Sequence, residues 1–157
     1  QGDPRWKVQD LSDGRNVNGW HWVEKDLTKW FKIQLDNKFK GLPLCELGSC
    51  SVNEIKKVEG EVTYCNRKRK HMFFYELQIH ISWEANHEDS KIRGEIRVPS
   101  LTEDEDIRSI PVNVTVTSKT SNEAEFKKQL ETHAVPKVRD ILDSIFLDAR
   151  ERFKEPI

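Results

Sequence analysis

Four consecutive cations, Arg67-Lys68-Arg69-Lys70, run straight into His71-Met72-Phe73-Phe74. Positive charge followed by large apolar side chains is docking chemistry. The cations can steer an acidic partner or contact phosphates, and methionine and phenylalanine supply contact area. The same run also fits a solvated basic turn or a nuclear-localisation-like signal. A second candidate is Asn16-Val17-Asn18-Gly19-Trp20-His21-Trp22. His21 has the side chain of a general base, but between two tryptophans it reads better as a packed or hydrogen-bonding residue. Trp20 and Trp22 share one side of an extended segment. There they can lock an arm to the domain or dock on a partner, and the residues alone favour the structural role.

Other chemistry is scarce. The chain contains no G-x-x-x-x-G-K-[ST], G-x-G-x-x-G or G-x-S-x-G, and its seven glycines leave little for phosphate-cradling loops. Carboxylates are plentiful, but nothing selects a catalytic pair. Cys45, Cys50 and Cys65 form an odd, sparse set without a Cys-x-x-Cys, which fits reduced thiols and neither a disulfide framework nor a metal site. The sequon at Asn113 falls within a strand-like run and reads as strand composition. A net charge of −1 gives no global pull toward nucleic acid or membrane, so any such pull must be local. No apolar run is long enough to span a bilayer. The chain opens at Gln1 without a methionine or a visible signal peptide, so an upstream trimming, or expression as a piece, is expected.

The elements that must position these residues follow from periodicity. With 157 residues, 36% apolar and 34% charged, the chain supports one globular domain and is too apolar for the disordered class. Residues 1–25 read as an extended or turn-rich arm, because Asn-Val-Asn-Gly opposes a helix. Leu27, Phe31, Leu35 and Phe39 predict a helix from Asp26, as N-cap, to Lys40, with Gly41 and Pro43 as its stop. Residues 41–49 read as a loop. His71 to Trp83 alternates: Phe73, Tyr75, Leu77, Ile79, Ile81 and Trp83 share one parity, which predicts a long half-buried strand. Residues 51–65 supply its neighbour, with Val52, Val58, Val62 and Tyr64 inward and a bulge expected near Glu59-Gly60. The basic run is then the tip of a hairpin. Met72 and Phe74 break the pattern by lying on the parity that should face water, so either a helix covers that face or it is a binding patch. Residues 91–98 and 112–116 alternate as two further strands, after which residues 122–153 form a long apolar-striped helix with an expected kink before Pro136. The predicted fold is α+β: an N-terminal helix, a four-stranded antiparallel meander and a long C-terminal helix.

Taken together, Asn16-Val-Asn-Gly-Trp-His-Trp, the tryptophan-bearing helix after it, Arg67-Lys68-Arg69-Lys70 leading into an aromatic strand, and the early Gly-Asp-Pro-Arg-Trp resemble the N-terminal domain of the activator of heat shock protein 90 ATPase family. That family carries an N-x-N-N-W-H-W motif and an R-K-x-K motif at this separation. The resemblance covers nearly the whole chain. It implies a co-chaperone domain that binds the middle segment of heat shock protein 90 and accelerates the partner's ATP hydrolysis, with no cofactor and no chemistry of its own. It also implies a cytoplasmic monomer, divided into an arm over residues 1–25 and a chaperone-binding domain over residues 26–157. By position, Arg67, Lys68, Arg69 and Lys70 match the basic motif, Met72 and Phe74 its apolar contacts, and Glu61 and Leu101 (the latter in the acidic loop) further contacts. Asn16, Asn18, Trp20, His21 and Trp22 match the motif that tunes nucleotide handling by the chaperone, which tilts the reading of that segment toward a regulatory arm. Gly19 stands where the family has a second adjacent asparagine, and Arg69 fills the variable position of R-K-x-K, often a small residue. Full-length members carry a further C-terminal domain, so a chain ending at Ile157 is expected to be a fragment or a single-domain relative.

Two rival classes remain. One is a nucleic-acid-binding module built on residues 67–70 and nearby aromatics, which the near-neutral net charge opposes. The other is a small enzyme or ligand binder with an unrecognised pocket, which would need an enclosed polar cleft.

Overall fold

The computed structural model describes residues 22–68 and 70–153. Asn16, Asn18, Trp20, His21 and Arg69 lie outside the described residues. Strand β1 (Trp22–Asp26) leads into helix α1 (Thr28–Phe39). Short β2 (Pro43–Cys45) and a 3-10 turn (Leu47–Ser49) precede the long strands β3 (Cys50–Arg67) and β4 (Lys70–His87). β5 (Ser90–Thr102) and β6 (Asn113–Val116) complete the sheet. Helix α2 (Glu123–Gln129), a π turn (Leu130–Ala134) and helix α3 (Val135–Arg152) follow.

The architecture is α+β, with six antiparallel strands among the described residues rather than four. The order is β1-β3-β4-β5-β6, and β2 pairs with the start of β3. The two additional strands come from segments read as arm and loop. β1 is polar and short, and β2 is only three residues long. Neither carries enough alternation to register as a strand; each is extended because β3 offers it a ladder. β1 also crosses the expected boundary between arm and domain at residues 25 and 26.

Every inward residue expected of β4 lies on the core side, and Leu77, Ile79, Ile81 and Trp83 are fully buried. Phe31, Leu35 and Phe39 of α1 and the α2–α3 stripe cover that side. Phe146 of α3 stacks on Tyr75 at 4.1 Å and meets Phe31 at 5.1 Å, tying both helices to β4. None of the described helices covers the opposite face of the sheet.

Three irregularities decide which side chains face in. The expected bulge at Glu59-Gly60 is not there: Glu59 pairs with Gln78 and Gly60 with Leu77 in regular register. The shifts fall earlier, between Val52 and Glu54 and between Ile55 and Lys57. Each shift adds one residue on β3, and the two together restore the parity, so Val52, Ile55 and Val58 all lie toward the core at a spacing of three, opposite Trp83, Ile81 and Ile79. A further shift between β4 and β5 likewise turns both Val98 and Leu101 inward. Gly60 has another purpose: its φ is +112°, and a Cβ there would sit 1.8 Å from the Glu76 carbonyl oxygen.

At the helix start, Asp26 accepts a hydrogen bond from the Thr28 amide at 2.9 Å, so the cap lies just outside the first turn. Asn122 and Glu125 bond side chain to side chain at 3.1 Å rather than forming the reciprocal capping box. Pro136 produces a π turn instead of a break. The Val135 amide bonds back to the Leu130 carbonyl, one residue wider than in an α-helix, at the point where proline removes a donor. The wider turn resets the drift of a four-residue repeat, so Phe126, Leu130, Ala134, Val138 and Leu142 all stay buried.

Gly60→Ala is expected to cost roughly 2–4 kcal/mol, since it combines a left-handed backbone with a backbone clash. Urea denaturation measures it; a loss below about 1 kcal/mol would mean that β3 and β4 can separate locally without disturbing the ladder.

Candidate functional site

The β3–β4 hairpin presents its outward parity on the uncovered face. Arg67 lies opposite Lys70, Cys65 opposite Met72, Thr63 opposite Phe74, Glu61 opposite Glu76, and Glu59 opposite Gln78. β1 extends the rows, with Glu24 beside Cys65 and Asp26 beside Thr63. Over roughly 25 Å of strand the surface therefore passes from cationic, through apolar, to anionic.

The apolar middle is open to solvent. Phe74 is 45% exposed, one of three large apolar side chains so exposed among the described residues. Met72 is half-buried beside it. Cys65 fills the floor between Met72 and Glu24; burial, and then the Glu24 carboxylate, push its thiol up to about 11. It is therefore a protonated, apolar filler at neutral pH.

The anionic end forms a shallow depression of about 750 Å³, with Glu61, Glu76, Glu103 and Asp104 among its lining residues. Glu103 also accepts a hydrogen bond from the Tyr75 amide at 3.2 Å. Glu61 and Glu76 face each other directly, an unfavourable cross-strand pair. Among the described residues no ion pair reaches either carboxylate. The far half of the same face is different. There Lys56 and Arg97 bond Glu95 at 3.2 and 2.9 Å, and Lys91 and Arg93 reach Glu84 at 3.7 and 4.0 Å. The Arg97 and Lys56 hydrogen bonds hold the Glu95 carboxyl below its ordinary range. One end of the face is neutralised by its own cations, while the other retains charge that an external partner can meet.

The cationic end is the hairpin tip. Its inward side is anchored by Tyr64, whose hydroxyl hydrogen-bonds the Nδ1 atom of His71 while the two rings stack at 5.8 Å. Arg67 pairs with Lys70, and Lys68 holds φ at +52° in the tight connection between them. A left-handed lysine is strained by about 1–2 kcal/mol, where asparagine or glycine would serve the turn better.

The structure therefore gathers Arg67, Lys68, Lys70, Met72, Phe74 and Glu61 around one surface. Trp22 begins β1 opposite Arg67, at the cationic end. Leu101 does not join them. It was expected in the acidic loop as a contact, but it lies in β5 opposite Leu77 and is fully buried, because the β4–β5 shift turns it inward. It supports the face from beneath. Glu76, Glu103 and Asp104 were missed. Glu76 was legible as a residue of outward parity, but its partnership with Glu61 needed the register. No group of three His, Cys, Asp or Glu among the described residues is placed to hold a metal ion, and no described helix is long and apolar enough to cross a membrane.

The family model described as Activator of Hsp90 ATPase, N-terminal, matches residues 24–152. The chain is 42% identical over 146 residues to "Activator of 90 kDa heat shock protein ATPase homolog 2" of Mus musculus, covering 90% of this chain and 43% of that protein. It is 33% identical over 118 residues to "Activator of 90 kDa heat shock protein ATPase homolog 1" of Homo sapiens, covering 74% and 35%. "Hsp90 co-chaperone AHA1" of Saccharomyces cerevisiae is 28% identical over 145 residues, covering 85% and 40%. The chain thus spans less than half the length of these relatives. The solution structure of the human Aha1 N-terminal domain superposes with a TM-score of 0.58 at 23% identity, over 77% of this chain and 90% of that one, which shows a shared fold.

Lys68→Asn should raise stability by roughly 0.5–1 kcal/mol by relieving the left-handed strain. Thermal denaturation checks it; a destabilised variant would mean that the interactions of the lysine side chain outweigh the strain of its backbone.

Proposed function

The chain belongs to the Activator of Hsp90 ATPase, N-terminal, family, and from that premise we propose that it is a co-chaperone domain that docks its uncovered sheet face on the middle segment of heat shock protein 90 and stimulates the partner's ATPase. The observation that carries the reading is the charge order of that face, with Arg67, Lys68 and Lys70 at one end, Met72 and Phe74 in the middle, and Glu61 and Glu76 at the other. Such a face suits a protein surface with acidic, apolar and basic parts in matching order. It suits a nucleic-acid backbone poorly, since the carboxylate end would repel phosphates. In this reading Arg69 is a further partner contact. Asn16, Asn18, Trp20, His21 and Trp22 act as the regulatory arm, of which Trp22 pairs with Arg67 at the cationic end. Residues 26–157 act as the chaperone-binding domain.

Activation is a shift of population. A domain that performs no hydrolysis can accelerate it only by binding the competent arrangement of the chaperone more tightly than the resting one. A face with three chemically distinct zones fixes orientation as well as affinity, which such discrimination requires.

Calorimetric titration into the isolated middle segment, at low and moderate salt, tests the docking, and an ATPase assay tests the consequence. Saturable binding that weakens with salt is expected. Phe74→Asp should weaken it at least about tenfold by placing a charge in the apolar zone, with the circular dichroism spectrum unchanged because the ring is half exposed. Unchanged affinity in that variant would sink the role given to the face. Glu61→Lys should move two properties in opposite directions. It relieves the repulsion at Glu76 and gains up to about 1 kcal/mol of stability, while binding falls.

A further inference from the structure

Cys45 ends β2 and Cys50 begins β3, and the two are register partners across the antiparallel pair. Directly opposed residues in such a pair sit about 4.5–5.5 Å apart at Cα, inside the ~4.4–6.8 Å that a disulfide spans. We propose that these two thiols form a redox-active pair that closes to an intramolecular disulfide on reaction with a hydroperoxide.

The pair is asymmetric in the way this chemistry needs. Cys45 is half-buried and reachable, whereas Cys50 is 1% exposed. The Lys137 ammonium bonds the Pro43 carbonyl at 2.8 Å, two residues from Cys45. Burial raises the Cys45 thiol on balance, opposed by its contacts with the Leu47 backbone and Cys50 and by the charge of Lys137; Cys50, more deeply buried, is raised further. Cys45 is therefore the attacking sulfur and Cys50 the resolving one. In the first step the Cys45 thiolate attacks one peroxide oxygen, the O–O bond breaks, and Cys45 becomes a sulfenic acid as hydroxide leaves and is protonated to water. In the second step the Cys50 sulfur attacks the sulfenic sulfur; the S–O bond breaks, and the hydroxyl leaves as water with the Cys50 proton. Two thiols are oxidised, and hydrogen peroxide is reduced to two waters.

Cys65 is an internal control. It lies fifteen residues beyond Cys50 on the same strand, roughly 50 Å away along the ladder, which excludes it from the pair. The disulfide would lock β2 to β3 at the point where Lys137 ties α3 to β2. This inference stands apart from the docking face and does not depend on the partner's identity.

The test treats the whole chain with stoichiometric hydrogen peroxide, quenches, alkylates under denaturing conditions and reads tryptic masses. Cys45 and Cys50 fall within one peptide, residues 41–56, and Cys65 in another, residues 58–67. The expected result is a 41–56 peptide lighter by two hydrogens that takes no alkyl label until reduced, with the Cys65 peptide labelled throughout and a raised Tm that dithiothreitol reverses. Cys50→Ser should strand Cys45 as a sulfenic acid that dimedone traps. Should that buried substitution fail to fold, Cys45→Ser serves instead, and it should leave Cys50 fully labelled after peroxide. Two labels on peptide 41–56 after peroxide, overoxidation of Cys45 with Cys50 still labelled, or a disulfide-linked dimer would each overturn the proposal.

Discussion

The register between β3 and β4 is the constraint on which the rest depends. Both strands are 18 residues long and antiparallel. With a side-chain period of two, a slip of one residue would send Phe73, Leu77, Ile79, Ile81 and Trp83 to solvent and bring Phe74, Glu76 and Gln78 into the core. The burial of the first set therefore also fixes what the other face displays. The docking face is the complement of the core, held in place by hydrophobic burial supplied mainly by the opposite parity of the same strands.

Coverage on one side only makes that complement available. α1 and α3 meet over the inner face, where Phe31, Tyr75 and Phe146 stack. α3 is held there by polar clamps as well: Arg139 donates two hydrogen bonds to the Ile110 carbonyl, at 3.1 and 2.8 Å, and Arg108 bonds Asp140 and reaches Asp143 at 3.3 Å. Both helices are thereby committed to one side. The outer face keeps an exposed phenylalanine, which in an isolated domain gains nothing from burial.

The same face carries local conflicts that a sequence shaped for stability alone would avoid. Lys68 occupies a left-handed position, and Glu61 opposes Glu76. Both lie at the ends of the proposed contact surface, and both concern charge. Away from it, at Glu95 and Glu84, opposite charges are matched. Left-handed residues recur at Ser49, Glu88 and Asp89, so it is the Glu61–Glu76 pair, more than the turn, that sets this surface apart, and an unmatched carboxylate pair is what a binding role leaves behind.

Short-range pattern made much of this legible. The alternation from Phe73 to Trp83, the four-residue repeat from Leu27 to Phe39 and the stripe from Phe126 onward each state a period and a face, because side-chain direction follows the backbone repeat within one element. The hairpin tip and the misplaced polarity of Met72 and Phe74 were visible for the same reason. What the sequence could not decide was anything that depends on a neighbour. β1 and β2 are strands because β3 pairs with them. Paired bulges send Ile55 inward against simple parity, and a third shift buries Leu101. Glu76 became part of the site only when pairing set it beside Glu61, and Cys45 met Cys50 only when β2 folded back. Register, bulges and edge pairing are settled by the total burial and hydrogen bonding of the assembled sheet, and no window of residues contains those quantities.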